Sequence, residues 1–149
     1  MDFPQYADFS NAAFAQGADF SQAMFTAFVG FRRVTFARAV SFNGASFEGA
    51  YFPDATFGQG ADFRQTSFAY VEPSFEGSEG QQKSARFSAQ ADPQDYLFEV
   101  RLESPHGFSC GEAQLLNRTF VLPLGAVLYD PDSWDEEKQE YTHISEPAQ

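Results

Sequence analysis

The chain has one cysteine, one isoleucine, one tryptophan and two lysines among its 149 residues. A single cysteine excludes an internal disulfide framework and fits a reducing compartment, so a cytoplasmic setting is expected. Lys and Arg total 9 against 21 Asp and Glu, a formal net charge of -12. Without a basic surface, direct binding to nucleic acid or to an anionic membrane is not expected. Long apolar runs are also missing. The longest, Phe120 to Tyr129, is ten residues broken by Pro123 and Gly125, too short to cross a bilayer. The N-terminal segment lacks a charged start, an apolar stretch and a cleavage site, so no signal peptide is expected. Leu and Val are scarce, at seven each, whereas Phe contributes 19 residues. A core built on Phe in place of Leu, Ile and Val implies one apolar slot used repeatedly.

The slot is visible as a period. Phe recurs at 9, 14, 20, 25, 31, 36, 42, 47, 52, 57, 63 and 68, with steps of five or six. Two residues before each Phe stands Ala, Val or Thr, without exception from Ala7 to Thr66. A helix of 3.6 residues per turn does not hold positions five and ten apart on one face, and a plain strand repeats every two. Short extended pieces separated by turns do fit. Strand alternation then points the Phe and the small residue inward together. The remaining positions, rich in Asp, Ser, Gln, Asn, Gly and Arg, face water or turn the corner.

The units Ala7-Asp8-Phe9-Ser10-Asn11, Ala18-Asp19-Phe20-Ser21-Gln22 and Ala61-Asp62-Phe63-Arg64-Gln65 resemble the pentapeptide-repeat family. The resemblance covers residues 3–71. It implies an all-β fold, a right-handed quadrilateral β-helix with four units per coil, and a solenoid of bacterial type. Taken four at a time, the Phe residues form three coils, offset by 22 and then 21 at every position. The six-residue steps 14 to 20, 36 to 42 and 57 to 63 then share one corner, with Gly17, Ala39 and Gly60 as the extra residues. A second long corner, 25 to 31, contains Phe28, and Phe3 falls in the column of Phe25. A flatter two-sided solenoid with an eleven-residue unit is the alternative. Open rungs at the ends are templates for pairing, so a second copy joining through an exposed end is a further expectation.

After Val71 the composition changes, and the expected organisation is 1–71 β-helix, 72–94 linker or loose loop, 95–129 small β-rich cap and 130–149 acidic tail. The linker carries Glu72, Glu76, Gly77, Glu79, Gly80, Gln81 and Gln82. Ala85-Arg86-Phe87-Ser88-Ala89 reads as a stray repeat unit. Tyr96, Phe98, Val100 and Leu102 alternate as one half-buried strand. Gly111 to Asn117 reads as a short helix or turn, and Arg118 to Tyr129 as strands around Pro123-Leu124-Gly125. The tail, with Trp134, Tyr141 and Ile144 as its apolar anchors, is expected to be lightly packed or disordered.

No catalytic, cofactor or metal site is expected. His106 and Cys110 are four apart, but nothing near them in sequence supplies an orienting group or an oxyanion site. Asp130, Asp132, Asp135, Glu136 and Glu137 lack the twelve-residue spacing of a calcium loop. Gly58-Gln59-Gly60 lies inside the repeat, with no helix after it to receive a phosphate. Thr35 and Thr56 are a column of only two, short of the regular rows an ice-binding solenoid needs. Arg32, Arg33, Arg38 and Arg64 fall on outward positions, as a contact patch or as separate solvated groups.

These observations favour a non-enzymatic solenoid scaffold mediating protein–protein interaction, with no cofactor and a partner the sequence does not identify. The alternative follows from the resemblance, because the family includes DNA-mimicking modulators of DNA gyrase. The charge distribution speaks against it: residues 1–71 carry six carboxylates against four arginines, and the rest of the -12 lies beyond residue 71. Three coils at ~4.8 Å per rung also span only a short piece of a duplex.

Overall fold

The structure is a computed structural model that describes residues 2–3, 5–77 and 83–149. The expected loop residues Glu79, Gly80, Gln81 and Gln82 lie outside those described. Among the described residues there is no α-helix, and nearly every strand belongs to one of four parallel stacks. Side 1 is built from Ala7–Asp8, Val29–Gly30 and Ala50–Tyr51. Side 2 stacks Ala13–Phe14, Thr35–Phe36, Thr56–Phe57, Arg86–Ser88 and Val127–Tyr129. Side 3 stacks Ala18–Asp19, Val40–Ser41, Ala61–Asp62 and Tyr96–Leu97. Side 4 stacks Asp2–Phe3, Met24–Phe25, Ser46–Phe47 and Ser67–Phe68. Four sheets settle the choice of shape: the tube is a four-sided β-helix, and the two-sided solenoid is excluded. The register pairs Phe14 with Phe36 and Phe36 with Phe57, the offsets of 22 and 21.

The rings form the core. On side 3, Phe20, Phe42 and Phe63 stack face to face with centroids 5.2 and 4.8 Å apart. On side 1, Phe9, Phe31 and Phe52 do the same at 5.2 and 4.8 Å. Sides 1 and 3 oppose each other, and their rings meet edge to face: Phe9 with Phe20 and Phe31 with Phe42, both at 5.5 Å. Offset and edge contacts are the two arrangements the aromatic quadrupole favours, so the square section satisfies both at once. Only a small residue fits at position i−2 beside each ring, and Ala23, Val34, Ala45 and Ala55 are fully buried.

The corners alternate. As far as Phe68, corners 1→2 and 3→4 are five-residue steps and close as β-turns. The Ala12 N–H donates to Phe9 O at 3.0 Å, Ala23 to Phe20 at 3.1 Å and Ala45 to Phe42 at 3.0 Å. The third turn residue has positive φ, as type II geometry requires. Those residues are Asn11, Gln22, Arg33, Gly44, Asp54 and Gln65, with φ between 57° and 75°. Left-handed backbone is unfavourable for most of these residue types. It is held here because each N–H donates to the next coil, as Gln22 does to Asn43 O at 2.9 Å and Gln65 to Glu99 O at 2.8 Å. The outward residue before the ring also caps these turns: Asp8, Asp19 and Asp62 each accept the N–H two residues on at 2.9 Å. That bond accounts for Asp and Ser at this position, since both side chains reach their own backbone. Corner 2→3 takes six residues in each of the first three coils, and corner 4→1 takes six from Phe25 to Phe31 but five from Phe47 to Phe52. Gly17 sits in corner 2→3 of the first coil with φ 88°.

The stack does not stop at Val71, and the expected 72–94 linker is corrected here. Ser74 bridges Tyr51, and Phe75 is buried and stacks on Phe52 at 4.8 Å. Phe87, the stray unit, stacks on Phe57 at 4.5 Å, and Phe98 stacks on Phe63 at 5.6 Å. These three rings continue the columns of sides 1, 2 and 3, while the corners between them are lengthened. Residues 96–102 are therefore not one strand. Tyr96–Leu97 is a rung of side 3, Val100 bridges Thr66, and Leu102 is fully exposed.

Gly111 to Asn117 is not a helix. Cys110–Leu115 pairs antiparallel with Arg118–Pro123 around Leu116 and Asn117, both at positive φ. The hairpin buries Ala113, Phe120 and Leu122, with Phe120 against Tyr96 at 5.8 Å. Residues 130–149, expected as a lightly packed tail, are held along their length. Trp134–Asp135 pairs with Glu140–Tyr141, and Tyr129 bridges Ile144. Gln149 exchanges two backbone hydrogen bonds with Glu112 at 3.0 and 3.2 Å. The carboxylates that suggested disorder face water while the backbone beneath them is paired.

Candidate interaction surface

Each side of the tube presents a column of outward residues, one per rung, and the corners add columns of their own. Side 2 shows Ala13, Thr35, Thr56, Arg86 and Val127. Thr56 is buried, so the threonines do not form an open row. Side 3 shows Asp19, Ser41, Asp62 and Leu97 over a shallow groove of about 660 Å³ floored by Ala18, Val40 and Ala61. Its polar atoms are engaged with one another: Ser21 and Ser41 hydroxyls bond at 2.8 Å, and Asn43 donates to Asp62 at 3.3 Å. Burial works to raise the Asp62 carboxyl, but hydrogen bonds from Arg64 and Asn43 outweigh it and hold the group below its usual range. Asp8 and Asp19 are held low by the Ser10 and Ser21 turn bonds.

The arginines do not form one patch. Arg33 pairs with Asp54 at 3.3 Å on corner 1→2, where Arg86 also reaches Asp54 at 2.8 Å. Arg64 pairs with Asp62 at 3.0 Å on corner 3→4. Arg38 is exposed on corner 2→3. Arg101, which sequence reasoning passed over, laces corner 3→4 by donating to Gln65 O and Gly44 O, both at 3.1 Å.

The residues weighed for chemistry stand apart from one another. His106 bridges Phe68 through its backbone, and its carbonyl accepts the Ser104 hydroxyl at 2.6 Å. Among the described residues no hydrogen bond joins His106 to Cys110, and partial burial pushes the Cys110 thiol up, away from the nucleophilic thiolate. Asp130 and Asp135 spend their carboxylates on backbone turns, accepting the Asp132 N–H at 3.0 Å and the Glu137 N–H at 2.9 Å. No group of three or more His, Cys, Asp and Glu able to hold a metal ion occurs among the described residues. Gly58-Gln59-Gly60 forms the wide corner 2→3, with the Gly58 N–H on Phe36 O at 2.8 Å.

Corner 4→1 is different. Its column is Tyr6, Phe28, Gly49 and Val71, spaced 22, 21 and 22 residues apart. Tyr6 is 60 % exposed, Phe28 39 %, Val71 38 % and the adjoining Tyr70 67 %. These side chains are organised on the surface. The Phe28 ring meets Tyr51 edge-on at 5.9 Å. Phe28 and Val71 close over Gly49, where a Cβ would stand 2.7 Å from Val71 Cγ1 and 3.0 Å from the Phe28 ring. Tyr6 lies over Gly30 in the same way, its hydroxyl 2.5 Å from where a Cβ would sit. Glycine at these two positions lets the aromatic chains lie flat along the tube. The carboxylates of Asp8, Glu48 and Glu72 border the ridge, and none is in an ion pair among the described residues. Residues 5–6, 26–28, 48–49 and 69–73 contain no Lys or Arg.

With the coil geometry in hand, comparison with known proteins is direct. The segment from Phe20 to Ser67 matches the family model for pentapeptide repeats (9 copies). The match spans residues 20–67, about a third of the chain. That segment lies within the four-sided stack described above. No curated protein and no solved structure gave a significant match. No helix among the described residues is long and apolar enough to cross a membrane.

Proposed function

We propose that this pentapeptide-repeat chain is a non-enzymatic scaffold that presents a side of its tube to a protein partner in the cytoplasm. The observation that carries this reading is the ridge on corner 4→1. Exposed aromatic side chains held by neighbouring rungs combine large contact area with little freedom to lose on binding, which is what anchors protein interfaces. The stack adds rigidity, since rings inside the columns, such as Phe31 and Phe42, are held between rings above and below. The polar groups elsewhere on the tube are occupied with turns and ion pairs, which supports a structural frame over a reaction centre.

The test is photo-crosslinking in cells that express the chain, with p-benzoylphenylalanine placed singly at Tyr70, Thr35, Ser41 and Ser46 to sample four different surfaces. A scaffold yields one discrete adduct from one surface and none from the opposite one. No adduct from any position would overturn the reading. The gyrase-mimic alternative makes a different prediction, namely salt-sensitive inhibition of supercoiling by stoichiometric protein. Its absence at equimolar protein would remove that alternative.

A further inference from the structure

We infer that the ridge on corner 4→1 is a docking strip for a cationic, aliphatic segment of a partner protein, lying extended along the tube axis and carrying Arg or Lys beside apolar side chains. This rests on the scaffold reading and names its surface and the chemistry of its partner. Four of the large hydrophobic side chains exposed on this molecule, Tyr6, Phe28, Tyr70 and Val71, fall on this one corner. Phe28 and Val71 close over Gly49 and Phe28 abuts Tyr51, Tyr70 adjoins Val71 in sequence, and Tyr6 lies one coil before Phe28 in the same column. A patch of this kind on an otherwise polar wall marks a contact site.

Charge complementarity selects the occupant. Asp8, Glu48 and Glu72 lie beside the rings without a basic partner among the described residues, although Glu72 accepts the Ser109 hydroxyl at 2.6 Å. The neighbouring cation is Arg32, close enough to Asp8 to act on its carboxyl. Asp54 and Asp62, on other corners of the tube, already have arginines. A guanidinium or ammonium arriving at corner 4→1 therefore finds the carboxylates of Glu48 and Glu72, which are in no ion pair among the described residues, and the faces of Tyr and Phe, which attract cations through the ring quadrupole. An acidic segment or a nucleic-acid backbone meets like charge at Glu48 and Glu72. A second copy of this chain brings the same acidic ridge and is repelled. Length is consistent: four rungs at ~4.8 Å span roughly 15–20 Å, which about five or six extended residues cover at ~3.3 Å each.

The experiment uses the full chain and a fluorescein-labelled ten-residue peptide of alternating Arg and Leu, with Gln-Leu and Glu-Leu peptides of the same length beside it, followed by fluorescence anisotropy. The Arg-Leu peptide is expected to bind saturably, and at least tenfold more tightly than the Gln-Leu peptide. Binding should fall at least tenfold in the pair Phe28→Gln with Tyr70→Gln. It should also fall in the pair Glu48→Gln with Glu72→Gln, which removes charge and leaves the rings. The pair Glu136→Gln with Glu137→Gln, on the distant acidic hairpin, should bind as the parent does. Circular dichroism confirms that each variant keeps the fold. Equal binding of the Arg-Leu and Gln-Leu peptides, loss with the hairpin pair, or no loss with either ridge pair would overturn the inference. If crosslinking captures a partner from Thr35 or Ser41 but not from Tyr70, the scaffold survives and the ridge assignment fails. If no position captures anything, both fail.

Discussion

Replacing Phe42 by Ala removes a ring that is stacked on both faces and met edge-on from the opposite side of the tube. Phe42 is fully buried. It is stacked between Phe20 at 5.2 Å and Phe63 at 4.8 Å, with Phe31 and Phe52 edge-on at 5.5 and 6.0 Å. Losing the buried apolar surface of a Phe costs about 1.5–3 kcal/mol, and lost aromatic pairs add about 0.5–1.5 kcal/mol each. The sum falls in the observed range for Phe→Ala in a core, about 3–5 kcal/mol. Phe14→Ala is the internal comparison. Phe14 is half-buried and has one stacked partner, Phe36 at 5.2 Å. With one stacked ring in place of two, and Phe20 alone edge-on at 6.0 Å, it should cost about 1.5–2.5 kcal/mol. Urea unfolding followed by circular dichroism and by Trp134 fluorescence measures both. Equal losses at the two positions, within about 0.5 kcal/mol, the ordinary tolerance of such comparisons, would refute the idea that stacking neighbours set the cost.

Arg101→Ala removes the side chain that ties carbonyls of Gln65 and Gly44 together on corner 3→4, and should cost about 1.5–3 kcal/mol, as charge-assisted bonds do; Arg38→Ala, at an exposed site, should stay within about 0.5 kcal/mol. Gln65 is held at φ 60°, so Gln65→Gly relieves the left-handed strain, and the unfolding midpoint should hold or rise, whereas Ser67→Gly in the next strand should lower the midpoint, at a cost in stability of about 0.5–1 kcal/mol. Stability should also depend on acid. Asp8, Asp19 and Asp62 have folded values depressed below the ordinary carboxylate, so the stability they add is present above the unfolded value of about 3.9 and is lost as pH falls through the folded one. The urea midpoint should be flat from about pH 7 to 5 and fall below about pH 4, and Asp62→Asn should make that fall shallower.

The repeat announced its own geometry through the twelve small–x–Phe units, because a period of five and a coil of 21 or 22 leave no helix and no flat sheet as an option. The corners were harder to read. Left-handed turns fall on Asn11, Gln22, Arg33, Asp54 and Gln65, where only one position in the series, Gly44, carries the usual residue. Their conformation is held by inter-coil hydrogen bonds, which local sequence does not show. Phe75, Phe87 and Phe98 belong to the columns, yet they follow Phe68 by steps of 7, 12 and 11. Lengthened corners erase the period while leaving the stacking intact. The acidic C-terminal residues misled for a related reason: their charge reports the solvent face, and the pairing beneath is made by backbone. The ridge was the least legible feature. Tyr6, Phe28, Gly49 and Val71 share no residue type, and only the coil pitch makes them neighbours.

The claim under all of this is that each ring rests on its counterpart one coil away. Protein labelled with ¹³C only at Phe, with Phe42 assigned by Phe42→Leu, tests it by nuclear Overhauser spectroscopy. Strong cross-peaks from the Phe42 ring to both Phe20 and Phe63 are the expected result, since their centroids lie 5.2 and 4.8 Å away. A Phe42 ring that shows contacts only to residues adjacent in sequence, with neither counterpart, would contradict the account.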